Sequence, residues 1–184
     1  MKKLILAAIV AILPLAGFGQ SIFDKYENDA QVTYVAMQPK MFQMLGKMSV
    51  STEDPEAQEF FELVNNITSF KVMTTENKEI AADMENWVVK HLNSSSFEEL
   101  MRVRDGDSNV RFYVKEGRDE NHVKELLMHV TDIGSPDVKM NGKMIESVLL
   151  SLTGDIDLRK IASLTNKMDL PGGDQLGKAG QEKN

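Results

Sequence analysis

Near residue 97 the spacing of apolar residues along this chain changes, and that change limits the folds open to it. Before it, apolar side chains recur mostly every three or four residues; after it, mostly every two. In residues 77–92, Ile80, Ala81, Met84, Trp87, Val88 and Leu92 line one face of a helix, with Glu79, Asp83, Glu85 and Lys90 elsewhere. The helix is expected to stop at Asn93-Ser94-Ser95-Ser96, where short polar side chains compete for backbone hydrogen bonds. Leu100 to Arg104 and Val110 to Lys115 then read as strands, joined by a turn at Asp105-Gly106-Asp107-Ser108-Asn109. Gly117 to Asn121 is a second polar turn, and Ile133-Gly134-Ser135-Pro136-Asp137 a third. Between them, Val123, Leu126, Leu127 and Val130 fit a helix taken alone, while their place among hairpins favours a strand. Met144 to Thr153 holds a core strand around Val148-Leu149-Leu150, ended by Gly154-Asp155-Ile156-Asp157. Asp157 would cap a last helix bearing Leu158, Ile161, Ala162, Leu164 and Met168.

The first half mixes both periods. Residues 21–31 predict a short helix or docked arm carrying Phe23 and Tyr26, and Val32 to Met37 predicts a strand. Pro39 suits the first turn of a helix bearing Met41, Phe42, Met44, Leu45 and Met48. Ser49 to Asp54 reads as a loop. Asp54-Pro55-Glu56 opens another helix, with Ala57, Phe60, Phe61, Val64 and Ile67 on one apolar face. Phe70, Val72 and Thr74 alternate with Ser69, Lys71 and Met73 as a strand. This order predicts one α+β domain over residues 21–168, mainly an antiparallel sheet with helices packed on one face. At 184 residues the chain is long enough for one sizeable core and short for two. After Met168 it turns to Gly, Lys, Asp and Gln, so 169–184 is expected to be a disordered polar tail.

Residues 1–20 carry the three parts of a secretory signal: Lys2-Lys3, an apolar run from Leu4 to Leu13, and an exit Gly17-Phe18-Gly19-Gln20 with small residues at alternate positions. The run is short for a membrane span, which needs about 20 apolar residues. Cleavage after Gly19 or Gln20 is expected, giving a periplasmic or secreted protein without a membrane span. The mature chain would keep 19 basic and 28 acidic residues, a formal charge of −9. That sign disfavours nucleic acid and anionic membrane surfaces as partners. The absence of cysteine excludes disulfides, thiol chemistry, zinc–thiolate and iron–sulfur sites, and a lipid anchor on an N-terminal cysteine.

Several stretches resemble the DUF4252 family. They are Phe23-Asp24-Lys25-Tyr26, Val32-Thr33-Tyr34-Val35 leading into the Met-Phe helix, and Glu99-Leu100-Met101 before a turn. Val110-Arg111-Phe112-Tyr113-Val114-Lys115, Lys124-Glu125-Leu126-Leu127 and Leu152-Thr153-Gly154-Asp155-Ile156-Asp157-Leu158 continue the series in order across most of the mature chain. The resemblance implies a small exported protein of a kind common in the Bacteroidetes, and it favours a strand at 123–130. Many such proteins look like lipoproteins; this chain lacks the junction cysteine, which favours a soluble form. No catalytic residue carries over from the family.

The residue clusters are each better read as structure. Asp105, Asp107, Asn109 and Glu116 have the ligand spacing of a calcium loop, but Val110 stands where the sharp bend needs glycine, so a hairpin turn is expected. Met37, Met41, Met44 and Met48 could hold cuprous copper or line an interaction groove, yet lie among Phe42 and Leu45 as core residues would. His122 and His129 are seven apart, which in a strand sends them to opposite faces; His91 ends a helix, and no carboxylate pair stands at zinc-ligand spacing. Asp155 and Asp157 read as turn and cap. Gly172-Gly173 lies in the tail and precedes no apolar helix. Asn66-Ile67-Thr68 and Asn93-Ser94-Ser95 match a glycosylation pattern that a bacterial signal makes irrelevant. No residue is assigned a catalytic, cofactor-binding or metal-ligating role. The sequence thus predicts a non-enzymatic module that meets an envelope protein or serves regulation, with a metal-binding protein or a hydrolase built from distant residues as the alternatives.

Overall fold

A computed structural model describes residues 21–48, 54–105, 108–133, 139–140 and 143–161. The expected signal at 1–20, the loop at 49–53, most of the turn at 133–137, the last helix beyond residue 161 and the polar tail lie outside the described residues. The elements run α1 (Ile22–Tyr26), β1 (Val32–Met37), α2 (Pro39–Met48), α3 (Pro55–Asn65), β2 (Ile67–Thr75) and α4 (Lys78–Ser94). Then come β3 (Phe97–Asp105), β4 (Ser108–Glu116), β5 (His122–Thr131), β6 (Lys139–Met140), β7 (Lys143–Met144) and β8 (Ser147–Asp157). Strands β6 and β7 form a small separate ribbon; the other six form one antiparallel sheet in the order β1-β2-β8-β5-β4-β3. This is the α+β architecture that the change of period predicts.

The sheet is apolar on both faces, and the helices are divided between them. Expected on one face, they could not all pack there, because neighbouring residues of one strand point oppositely and both kinds are apolar. Leu127, Leu149, Met73 and Tyr113 meet α1 and α4 through Ile22, Phe23, Ile80, Met84 and Val88. Their chain neighbours Leu126, Leu150 and Val114 belong to a second cluster with Phe42 of α2 and Leu63 and Val64 of α3. Runs such as Leu126-Leu127-Met128 are what a strand covered on both sides needs.

Local chemistry sets the element ends. Asn77 caps α4, its side chain accepting from the Glu79 N–H at 2.8 Å and the Ile80 N–H at 3.2 Å. Phe23 of α1 meets the Trp87 ring edge-on at 5.9 Å, which docks the N-terminal arm. Gly46 in α2 faces the Asn65 side chain of α3, in space that a Cβ would fill, so the two helices approach closely there. Ile67, expected on the helical face of α3, instead opens β2 and is buried from the strand. Gly154, expected to end the last strand, lies inside β8 at φ +154, and the ladder continues to Asp157. There the ladders on both sides of β8 shift register, between Ile67 and Ser69 of β2 and between Val123 and Glu125 of β5.

Candidate functional site

Two surfaces stand out, one on each face of the sheet. On the face that bears α2 and α3, cross-strand registers align whole rows of side chains. The first row, Met37, Phe70, Leu152, Leu126 and Val114, belongs to the second core cluster. The next runs Val35, Val72, Leu150, Met128, Phe112 and Met101 across all six strands. The third is Thr33, Thr74, Val148, Val130, Val110 and Val103. Val35 is 48% exposed, and Val72, Met128, Phe112, Met101 and the four valines of the third row are half-buried and belong to neither core cluster as described. Of these two rows only Leu150 packs against the cluster that α2 and α3 form with the sheet, among the described residues. Beside the covered row, Met41 and Met44 of α2 stand 47% and 56% exposed. The core role expected of these two methionines is therefore overturned: Phe42 and Leu45 turn inward and leave them on the outer side of α2.

On the opposite face, a polar cleft of about 460 Å³ opens between the start of α4 and strands β4, β5 and β8. Its wall includes Lys78 and Glu85 of α4, Asn109 and Arg111 of β4, and Ser147 of β8. Buried beside it is His129 of β5. The imidazole Nδ1 lies 3.3 Å from Oε2 of Glu85, and Nε2 lies 3.1 Å from Oγ of Ser147. Ser147 Oγ is also 3.2 Å from the Val130 carbonyl. Burial pushes the His129 pKa below the ordinary 6.5; Glu85 opposes that shift and Arg111 adds to it. Ser147 donates its hydroxyl proton to Val130, so the neutral ring donates its Nε2–H to Ser147 Oγ, and Nδ1 meets Glu85 as a charge contact without a hydrogen bond. When the ring takes a proton, it is added at Nδ1 and the contact with Glu85 becomes an ion pair. The order carboxylate, imidazole, hydroxyl is that of an acyl-transfer relay. Here, however, Ser147 is 1% exposed and lies under α4.

The remaining sequence candidates are structural. His122 and His129 fall on the same face rather than opposite ones, because the register shift between Val123 and Glu125 reverses the alternation. His122 donates from Nδ1 to Asp119 at 2.7 Å and accepts from Arg118 at 2.6 Å. Arg118 also reaches Asp155 at 3.0 Å, and Arg159 grips Asp157 at 3.0 and 2.8 Å, which holds the Asp157 carboxyl below the usual carboxylate range. Asp157 also accepts the Arg159 backbone N–H at 3.0 Å, the capping role expected of it. His91 is stacked on Trp87 at 4.4 Å and borders Phe97. The calcium reading of residues 105–116 meets the strand geometry of β4: Glu116 ends a nine-residue strand that starts at Ser108. That puts it about 26 Å from the turn at ~3.3 Å per residue. Among the described residues no group of three or more His, Asp or Glu is placed to hold a metal ion.

The relay and the open rows escape a sequence reading because neither is local. Glu85, His129 and Ser147 are brought together only by the placement of β8 beside β5. The signal that was available is polarity out of place: His129 after Leu126-Leu127-Met128, and Ser147 and Ser151 flanking Val148-Leu149-Leu150.

No curated protein and no solved structure matches the chain. The model of the family described as Domain of unknown function (DUF4252) matches residues 26–164, from the last turn of α1 past the end of β8, and the chain belongs to that family.

Proposed function

We propose that the protein is exported to the periplasm or beyond and acts there as a non-enzymatic interaction module, meeting an envelope protein through the two open rows of its sheet. The observation that carries this reading is the row Val35, Val72, Leu150, Met128, Phe112 and Met101, apolar on every strand, of which all but Leu150 lie outside both core clusters among the described residues. Contiguous apolar surface left partly open to solvent marks partner sites in proteins. The signal-like residues 1–20 support export.

The test places a photo-crosslinking residue at Val110 or Met128 in cells, with Lys90 on the outside of α4 as control. The captured protein is identified by mass spectrometry, purified, and titrated with the wild-type protein and a folded Val130→Asp variant. One envelope protein captured from both sheet positions and not from Lys90, with binding lost in Val130→Asp, is the expected result. Equal capture from Lys90, or undiminished binding by Val130→Asp, overturns the reading. The relay supports a second reading, a hydrolase with Ser147 as nucleophile. Ester hydrolysis by the purified protein that disappears in Ser147→Ala would establish it in place of the first.

A further inference from the structure

The cleft under α4 holds two polar groups whose partners the described chain does not supply. Oδ1 of Asn109 is buried and accepts no hydrogen bond. Buried acceptors are nearly always satisfied, and each exception needs a cause. Arg111, two residues along the same face of β4, is half-buried on the cleft wall and makes no ion pair among the described residues. Its cross-strand neighbours do not neutralise it: His129 is held neutral by burial, and Arg102 is itself a cation, already gripping Glu99 through two hydrogen bonds of 3.0 and 2.7 Å. A guanidinium so placed is a fork awaiting a carboxylate.

The other end of the cleft has the opposite sign. Asp132 and Glu146 leave β5 and β8 side by side, next to the paired Thr131 and Ser147. Asp132 has φ 57, the left-handed conformation, and is the one non-glycine residue with positive φ among those described. Backbone held in that region gathers at binding and catalytic sites. Glu85 also lines the cleft, beside His129, the cross-strand neighbour of Arg111. From the ladder of β4 and β5, Asp132 lies about three residues along and one strand across from Arg111. That is ~10 Å by ~5 Å between backbones, and the two side chains shorten the gap.

We propose that this cleft binds a small zwitterion, an α-amino acid or dipeptide. Arg111 takes the carboxylate. Asp132 and Glu146 face the ammonium group, and Asn109 Oδ1 accepts a ligand N–H. A simple anion would meet the carboxylates of Asp132 and Glu146, and a simple cation the guanidinium of Arg111; a molecule with both charges satisfies both ends. A volume of about 460 Å³ admits either size of ligand. The site lies on the face opposite the open rows and stands or falls independently of them.

Isothermal titration of the full chain with L-alanine and with L-alanyl-L-alanine tests the proposal, alongside acetate and ethylammonium as single-charge probes. Saturable binding of at least one zwitterion, at least tenfold tighter than either single-charge probe, is expected. Arg111→Gln should weaken it at least tenfold, and Asn109→Leu, which removes the orphaned acceptor, should weaken it while the circular dichroism and thermal melt stay native-like. Should a variant fail to fold, backbone amide shifts of wild-type residues 109–111, 131–132 and 146–147 on titration supply the same test. No binding of either zwitterion at millimolar concentration, acetate binding as well as alanine, or unaltered binding by folded Arg111→Gln overturns the proposal.

Discussion

Leu127 and Met128 are neighbours on β5, and truncating each to alanine measures the two faces of the sheet separately. Leu127 is fully buried against Met73, Met84 and Leu149. Its removal forfeits about 2 kcal/mol of transfer free energy. It also leaves a cavity that α4 and the sheet can only partly close, for a total of about 3–4 kcal/mol. Met128 is of similar size but half-buried, in neither core cluster, with Leu150 and Phe112 as its lateral neighbours. Met128→Ala removes a side chain that already meets solvent, and costs about 1 kcal/mol. Urea unfolding, followed by fluorescence of the single tryptophan, Trp87, reads both variants on one scale. The expected ratio is about three to one at low micromolar protein. Equal losses would mean that the second face is as well covered as the first, and the docking surface proposed on it would go. Equal losses only at high concentration would mean that a second copy covers it.

Two further outcomes follow from particular residues. Gly154→Ala should destabilise by about 2–3 kcal/mol, because a Cβ there would lie 2.2 Å from the Asn66 carbonyl oxygen at a φ that side chains avoid; a melting temperature within two degrees of wild type would refute the account of β8. His129 has a folded-state pKa below its unfolded value, so the unfolded chain binds the extra proton first. Stability should therefore hold above pH ~6.5 and fall as pH drops through that value, by at most about 1.4 kcal/mol per pH unit. His129→Gln should flatten that slope between pH 5 and 6.5 in urea titrations, and an unchanged slope would place the proton elsewhere.

The elements were legible wherever the chain's own chemistry decides them. Val32 to Met37 is β-branched and aromatic and folds as β1 with those bounds; the period of Ile80, Met84, Trp87 and Val88 gives α4; and the strand reading of 123–130 holds as β5. What the sequence could not show depends on how strands are set against one another. The facing of His122 and of Ile67 follows from register shifts that arise only when β2, β8 and β5 pair. The two-sided covering of the sheet was written in Leu126-Leu127-Met128 and Val148-Leu149-Leu150, but a short apolar run alone does not say which helix will cover which side. The cleft is still more remote, since its wall draws on residues from 78 to 147.

The strand order has a consequence for how the molecule is made. Strand β8 is the last strand among the described residues, yet it lies between β2 and β5, some eighty residues and some twenty residues away from its two partners. Until it arrives, the β1–β2 pair and the β5-β4-β3 meander are two fragments, each with a bare inner edge ready to template another chain. Closure waits on contacts of large sequence separation, which makes it slow in folding terms. A chain cut short before Ser147 would therefore be an aggregation hazard rather than a smaller version of the protein, and any factor that holds the nascent chain open has its natural point of release at the emergence of this final strand.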